Sequence, residues 1–330
     1  MIKAAIVGCG RHGLRYLEAS KSIDDLKIGA VVDKNPKTCE GITSALFYVD
    51  LVKMLVDYKP NLVIIATTGP SHFEIAKKII ELGVEMLIIS KPVTTSYSDA
   101  LKLNKLIQKT GVKVAVDHGL RHDATYNWIK KNLATDKWGD VSQVTIERSG
   151  IGLGCLATHS FDLANYIFDC FPVKVTGWVD KPVNINPRGS HFVDPGGLVV
   201  LDYENDKKAI ISQVENTIRG VMMVTIYCEK CTIKIDVKNH QMTVESFDSE
   251  GNKELKINPH NIQVSHDTTF LMKQIIIDVI SNEKLNADFN FGLEALKILI
   301  GAYGSHDKGN IPLKLTDIEI MNFDKNLPIT

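Results

Sequence analysis

The first 120 residues alternate between short apolar runs and longer segments in which apolar residues recur at helical spacing. The apolar runs occupy residues 2–7, 26–32, 62–66, 86–89 and 112–116. The segments with helical spacing occupy residues 14–20, 51–57, 72–82 and 98–109. Strands that are apolar at almost every position are typical of a parallel sheet covered by helices on both faces. The pattern therefore predicts an α/β domain over residues 1–119.

Beyond residue 120 the pattern changes to runs in which polar and apolar residues alternate. Strands are predicted at 141–148, 173–179, 198–203, 208–214, 221–227 and 232–237. Helices are predicted at 124–134, 160–168, 267–281 and 291–303. Such alternation is typical of an antiparallel sheet with one face packed on helices. We therefore expect a C-terminal α+β domain over residues 120–330, built on an open, mostly antiparallel sheet.

Length and composition agree with two globular domains. The chain has 330 residues, of which 44% are hydrophobic and 23% charged, and its formal net charge is −1. This balance gives no electrostatic reason to bind nucleic acid or an anionic membrane. No apolar run has the length of a membrane span, and residues 1–7 lack the features of a signal peptide. We therefore expect a cytoplasmic protein without nucleic-acid or membrane partners.

The six cysteines are scattered, which is unlike a disulfide framework and fits a reducing compartment. Only Cys228 and Cys231 have C-x-x-C spacing, and they lie between two strand-like runs. A zinc site would need a second pair of ligands with matching spacing, which the sequence lacks. We therefore interpret Glu229 and Lys230 as a hairpin turn and expect no metal site.

Gly8, Gly10 and Gly13 form a G-x-G-x-x-G motif directly after the first strand and at the start of the first helix. The first glycine permits a tight turn, the second lets the backbone approach a pyrophosphate, and the third lets helix and strand pack closely. Arg11 and His12 lie at the helix N-terminus, whose free N–H groups favour anions. This context predicts a Rossmann dinucleotide-binding domain, against the alternative of a purely structural glycine turn.

Asp33 ends the second strand, about 20 residues after the motif, where an acidic side chain accepts hydrogen bonds from the adenosine ribose hydroxyls. A carboxylate at this position repels a 2′-phosphate, which favours NAD over NADP. Because Lys34 and Arg11 are close in sequence and carry the opposite charge, NADP stays open as the alternative cofactor.

Several further segments carry a family resemblance. They are Ala66-Thr67-Thr68-Gly69-Pro70-Ser71-His72, Ser90-Lys91-Pro92, Arg121, the run from Cys155 to Asp162, and the region near 302–313. Together with the glycine motif they resemble the Gfo/Idh/MocA family of sugar and polyol oxidoreductases, over essentially the whole chain. The resemblance implies an NAD(P)-dependent enzyme acting on CH–OH groups, assembled as a homodimer or homotetramer. It extends the cofactor contacts to Ala66, Thr67, Thr68, Pro70, His72, Ser90 and Lys91.

Lys91 and His159 are the catalytic candidates that the resemblance implies. Lys91 follows an apolar strand at the carboxyl edge of the sheet, where doubly wound folds bind ligands. In the family this lysine contacts both the substrate hydroxyl and the nicotinamide ribose. His159 corresponds to the histidine that takes a proton from the hydroxyl while hydride leaves the same carbon, and Asp162 is expected to orient it or its helix. The alternatives are a solvated lysine and a histidine that only packs or caps its helix.

The sequence departs from the family pattern at two positions. Ser90 replaces the glutamate that usually precedes the lysine, and Cys155 replaces the aspartate that usually stands four residues before the histidine. Because cysteine is usually neutral at pH 7 and a poor acceptor, we interpret Cys155 as a small wall of the substrate pocket. The substrate-binding residues implied are Lys91, Arg121, Cys155, Thr158 and His159.

Other polar residues give weaker hypotheses. His118, Arg121 and His122 fall at the domain junction, and a structural role is preferred for them. Arg148, Arg188 and His191 are candidates for binding an anionic substrate group, again with a structural or solvated role preferred.

The resulting hypothesis places NAD at the edge of the N-terminal sheet. The substrate, a sugar, nucleotide-sugar or cyclitol, is expected between this edge and the face of the C-terminal sheet. The alternatives are a non-redox sugar enzyme with recycled NAD, a reductase of another small carbonyl or imine, and a catalytically inactive dinucleotide-binding regulatory protein.

Overall fold

The computed structural model describes residues 1–150, 152–182, 186, 188–214, 220–247, 250–258, 264, 267–318 and 327–329. The chain divides into two compact units. The first comprises Met1–Gly119 and Asp267–Leu293, and the second comprises Leu120–His266 and Glu294–Thr330. No helix in these described ranges is long and apolar enough to cross a membrane.

The first unit is built on a parallel sheet of six strands in the order β3-β2-β1-β4-β5-β6. The strands are β1 (Ile2–Val7), β2 (Leu26–Val32), β3 (Leu46–Tyr48), β4 (Leu62–Ile65), β5 (Met86–Ile89) and β6 (Lys113–Val116). The helices are α1 (Arg11–Ser20), α2 (Leu51–Tyr58), α3 (His72–Glu81), α4 (Tyr97–Thr110) and, from the later segment, α7 (Thr268–Ser281). The central strands are buried at nearly every position, as predicted for a sheet covered on both faces.

Successive strands are added to one side of β1 up to β3 and then to its other side from β4 onward. This change of side, between β1 and β4, determines where a ligand can bind. Chain segments that follow β1 and β4 leave the sheet toward opposite faces, which opens a crevice at the carboxyl ends of these two strands. The glycine motif follows β1, Asp33 follows β2, Thr67 follows β4 and Lys91 follows β5. All four therefore lie at one edge of the first sheet.

The second unit is built on a nine-stranded sheet in the order β14-β13-β12-β11-β7-β10-β9-β8-β15. Its strands are β7 (Val141–Ser149), β8 (Lys174–Val179), β9 (Gly197–Asp202), β10 (Lys208–Val214), β11 (Met222–Cys228), β12 (Cys231–Asp236), β13 (Gln241–Phe247), β14 (Lys253–Ile257) and β15 (Leu313–Lys314). Its helices are α5 (Ala124–Leu133), α6 (Thr158–Phe168) and α8 (Phe289–Asp307), which begins in the first unit. The pairing is antiparallel except between β7 and β10. The predicted fold class, a Rossmann domain followed by an open, mostly antiparallel sheet, is thus confirmed.

One segment groups differently from the predicted domain boundaries. Residues 267–293 lie within the predicted second domain (120–330), but in the structure they belong to the first unit. The reason is the buried apolar face of α7, which packs into the core that also contains Ile28 and Ile64. The ammonium group of Lys113 donates to the carbonyl oxygens of Val279 and Asn282, at 3.0 Å each.

Candidate active site

The glycine loop has the geometry that a bound pyrophosphate requires. Gly8 adopts φ +98°, and a Cβ there would lie 2.9 Å from the backbone of Ala66. A Cβ on Gly13 would lie 1.9 Å from the carbonyl oxygen of Gly8, so only glycine fits at either position. Gly10 differs, because a Cβ there would meet no atom within 4 Å. Gly10 therefore borders open space in front of α1.

The N-terminus of α1 is free to bind an anion. Gly10 is its N-cap residue, no side chain caps the helix, and its first turn contains no acidic residue. The N–H groups of the first turn thus keep their hydrogen-bonding capacity, and the helix dipole favours negative charge in the same place. These features fit the pyrophosphate of a dinucleotide.

Asp33 is connected to the glycine loop by its side chain. Its Oδ2 accepts a hydrogen bond from the N–H of Cys9 at 2.8 Å, and its Oδ1 accepts one from the N–H of Asn35 at 2.9 Å. A carboxylate has about four lone-pair sites, so about two remain for the hydroxyl groups of a ribose. The partly buried Asp33 therefore shapes the loop and retains acceptor capacity for the cofactor.

His72 joins the two loops that follow β4 and β5. Its Nδ1 lies 2.8 Å from the carbonyl oxygen of Pro92, and its Nε2 lies 3.1 Å from that of Thr67. Burial lowers the pKa of His72 to about 4, although the two carbonyl oxygens act in the opposite direction. The buried imidazole is therefore neutral at pH 7, and its single N–H donates to one of these two carbonyl oxygens. The remaining predicted contacts on the first of these loops, Thr68 and Pro70, lie immediately before His72.

Lys91 lies at the carboxyl end of β5, in a partly buried position. The Lys91–Pro92 peptide bond is cis. Ser90, which stands where the family has glutamate, donates its hydroxyl hydrogen to the carbonyl oxygen of Ile65 at 2.9 Å. Ser90 thus connects the ends of β4 and β5 and places no carboxylate beside Lys91.

An acidic residue that was not predicted from the sequence, Asp117, lies next to this lysine. The backbone N–H of Asp117 donates to the carbonyl oxygen of Ile89 at 3.0 Å, which places Asp117 beside the chain entering Lys91. Asp117 Oδ2 lies 2.6 Å from His12 Nε2, with side-chain exposures of 7% and 31%. Burial alone would raise the pKa of Asp117, but His12, Lys91 and His118 hold it below its ordinary value. No sequence pattern connects His12 with Asp117, which are 105 residues apart.

In the second unit, a π-helical segment (Leu153–Ala157) leads into α6 and positions His159 in its first turn. The carboxylate of Asp194 accepts hydrogen bonds from the N–H groups of Gly154 and Cys155, at 2.7 Å each. The hydroxyl of Thr158 donates to the carbonyl oxygen of Gly154 at 3.1 Å. The predicted group of Cys155, Thr158 and His159 therefore lies on one continuous helical segment.

Arg121 has a different environment from the one expected of a substrate-binding residue. Its Nε lies 2.9 and 2.8 Å from the two carboxylate oxygens of Asp162, and the two side chains are only 5% and 1% exposed. The guanidinium carbon also lies 5.1 Å from the ring centroid of Tyr166. Arg121 and Asp162 thus form a buried ion pair within the second unit, which anchors α6.

Comparison with known proteins supports this interpretation of the first unit. Residues 2–118 match the family Gfo/Idh/MocA, described as an oxidoreductase family with an NAD-binding Rossmann fold. The chain is 24% identical to inositol 2-dehydrogenase of Rhizobium meliloti over 240 residues, which cover 66% of this chain and 70% of that protein. It is 28% identical to D-apiose dehydrogenase of Paraburkholderia graminis over 149 residues, covering 42% of this chain and only 40% of that protein.

The fold as a whole also occurs among solved structures. The WlbA dehydrogenase of Bordetella pertussis, solved with NADH and UDP-GlcNAcA, superposes with a TM-score of 0.75. The alignment covers 95% of this chain and 98% of that one, at 19% sequence identity. At 19% sequence identity, this superposition shows that the two proteins share a fold.

Proposed function

We propose that the chain is an NAD-dependent dehydrogenase of the Gfo/Idh/MocA family, acting on a secondary hydroxyl of a sugar, nucleotide-sugar or cyclitol. The observation that carries this proposal is the common position of the glycine loop, Asp33 and Lys91 at the carboxyl edge of one parallel sheet. Two relatives are named for an inositol and for D-apiose, which supports a polyol or sugar as the substrate.

Different residues of the first unit would bind different parts of the dinucleotide. The uncapped N-terminus of α1 would bind the pyrophosphate in the space in front of Gly10, and Asp33 would accept from the adenosine ribose. The nicotinamide, when bound, supplies the acceptor for a hydride. The carboxylate of Asp33 makes NAD the cofactor that fits better than NADP, because a 2′-phosphate would meet a negative charge.

The protein itself handles the proton and the orientation of the substrate. We assign Lys91 to bind the reacting oxygen through its ammonium group and His159 to accept the hydroxyl proton at an imidazole nitrogen. Asp117 supports Lys91 by keeping a negative charge beside it, and the Arg121–Asp162 pair fixes the helix that bears His159.

We also propose that the protein forms a homodimer or homotetramer through the open face of the second sheet. Trp178 and Leu198 lie opposite one another on β8 and β9, and they are 40% and 37% exposed. Multi-angle light scattering of the native protein tests this proposal, and a monomer at micromolar concentration would contradict it.

The functional proposal is tested by measuring reduction of NAD on a panel of cyclitols, aldoses, sugar acids and nucleotide sugars, with NADP in parallel. Formation of NADH with at least one compound, abolished in Lys91→Met and His159→Ala variants that retain the fold, is the expected result. If the protein binds NAD but neither oxidises any alcohol nor reduces the corresponding ketones, the alternative of a non-catalytic dinucleotide-binding protein is correct. The two departures, at Ser90 and Cys155, are the observations that favour this alternative.

A further inference from the structure

The second unit contains a pocket that the assigned roles of Lys91 and His159 do not use. It has a volume of about 570 Å³ and is lined by the end of β7, the π-helical segment, the start of β11 and the turn between β12 and β13. Cys155 forms part of its wall, four residues before His159 on the same helical segment. The pocket is therefore adjacent, along that segment, to the proposed proton acceptor.

The charged residues that line this pocket are basic, although the carboxylate of Asp194 accepts a hydrogen bond from the backbone N–H of Cys155, one of its wall residues. Arg148, Lys238 and His240 are among its lining residues, and no aspartate or glutamate of the described residues lines it. A second guanidinium reaches the same wall, because Arg188 Nη1 donates to the sulfur of Cys155 at 3.4 Å. A molecule bound here would meet positive charge.

Arg148 provides the strongest argument for an anionic ligand. It is partly buried, and burial lowers the pKa of its guanidinium. Its Nη1 donates to the carbonyl oxygen of Leu156 at 3.3 Å, whereas no carboxylate in the described part of the chain forms an ion pair with it. Even partial burial of a charge without a partner of opposite sign is costly, so this arginine at the pocket wall is a natural site for an anion.

We infer that the substrate is an acidic sugar or polyol whose carboxylate binds to Arg148, next to Cys155. This inference rests on the proposed dehydrogenase function and narrows its substrate class. The planar guanidinium can donate two parallel hydrogen bonds to a carboxylate, a geometry that a neutral hydroxymethyl group cannot reproduce. The small side chain of Cys155 leaves this approach open, whereas the carboxylate of an aspartate there would compete for the same guanidinium groups. The cysteine at position 155 and the positively charged pocket would thus both favour a substrate that carries a carboxylate.

The test compares binding and turnover for matched pairs of compounds. D-Glucuronate, D-galacturonate and D-gluconate are each compared with D-glucose or D-galactose, and D-glucose 6-phosphate represents anions of another class. Calorimetric titration of the NAD-loaded protein gives affinities, and NADH formation gives kcat/KM. We expect at least one carboxylate to bind 10-fold or more tightly than its neutral counterpart. Arg148→Gln is expected to weaken that binding by about 10- to 100-fold, the range for losing charge-assisted hydrogen bonds, without changing the affinity of the neutral sugar.

Two further variants keep the result interpretable if Arg148→Gln unfolds the protein. Lys238→Gln removes an exposed charge at the pocket and is expected to weaken carboxylate binding several-fold, while Lys174→Gln removes an exposed charge on β8 and is expected to have no effect. Equal affinity for acids and neutral sugars, or selectivity for the phosphate alone, would overturn the inference. If neutral polyols reduce NAD equally well in the native protein and in Arg148→Gln, the dehydrogenase function stands and the acidic substrate is wrong. If acids bind through Arg148 but nothing in the panel reduces NAD, the pocket stands and the dehydrogenase function is wrong.

Discussion

Replacing Asp33 by asparagine is the sharpest test of cofactor choice. Alanine would be a poor substitute, because it would leave the N–H of Cys9, a residue only 2% exposed, without its acceptor. Such a loss costs about 1–3 kcal/mol and would disturb the glycine loop itself. Asparagine keeps one acceptor oxygen for that N–H, gives up the acceptor of the exposed N–H of Asn35 and removes the negative charge. The change therefore removes the charge of the carboxylate with less damage to the glycine loop than alanine would cause.

The expected size of the effect follows from the hydrogen bonds involved. The two lone-pair sites that remain on Asp33 would accept from ribose hydroxyls, and hydrogen bonds to a charged group contribute about 1.5–3 kcal/mol. Loss of the charge should therefore weaken NAD binding by about 10- to 100-fold. NADP binding should improve at the same time, because its 2′-phosphate no longer meets a carboxylate. The ratio of the two affinities should fall by at least the same factor.

Calorimetric titration of the native protein and of Asp33→Asn with NAD and NADP measures this ratio directly. Asp24→Asn, a matched change at an exposed position, serves as the control and should leave both affinities unchanged. Thermal unfolding of each variant shows whether the loop retains its stability. Equal or tighter binding of NADP by the native protein would refute the argument, as would an unchanged ratio in Asp33→Asn.

Three other predictions follow from the same geometry. Lys91→Met should leave NAD affinity within a few-fold but lower kcat by about 10² or more; an unchanged kcat would remove Lys91 from the mechanism. Cys155→Ala should retain most activity, and loss of its turnover with intact NAD binding would show a chemical role for the thiol. Cys155→Asp should raise the pKa of the basic group seen in the pH profile of kcat/KM, because it places a negative charge near His159. Folding lowers the pKa of His72 from 6.5 to about 4, so between these pH values its imidazole is protonated in the unfolded chain and neutral in the folded one. The free energy of unfolding should therefore decrease by up to about 3 kcal/mol as the pH falls from 6.5 toward 4. Urea unfolding across this range should show a smaller dependence in His72→Gln, and an equal dependence would contradict the assignment.

The first sheet was predictable because its strands have no polar face. Apolar runs bounded by turn residues gave β2 and β5 the bounds that the structure shows, Leu26–Val32 and Met86–Ile89. The start of α1 was less predictable. The structure begins this helix at Arg11, whereas the apolar spacing begins at residue 14, because the first turn contains polar residues and a glycine that serve the loop.

Four strands were not predicted from the sequence: β3, β13, β14 and the two-residue β15 (Leu313–Lys314). All five residues of β14 are exposed, so no buried face imposes an alternating pattern on the segment Lys253–Ile257. β3 (Leu46–Tyr48) has only three residues, and none of them is buried. β13 (Gln241–Phe247) has the expected alternation over its first half alone. Strands are recognised in a sequence by the surface that they bury, and these strands bury little of it.

In the candidate site, the roles that depend on neighbouring residues could be predicted from the sequence, whereas the roles that depend on distant residues could not. Gly8, Gly10 and Gly13 were interpretable because one turn and one helix start determine what each must do. The functions of Arg121 and Arg148 could not be separated in this way, since both are arginines flanked by mixed sequence. The structure separates them through their partners. Arg121 has the carboxylate of Asp162 as its counter-ion, whereas Arg148 faces a pocket that no carboxylate lines in the part of the chain that the structure describes. A buried charge is a structural element when the fold supplies its partner, and it becomes a recognition element when the ligand must supply it.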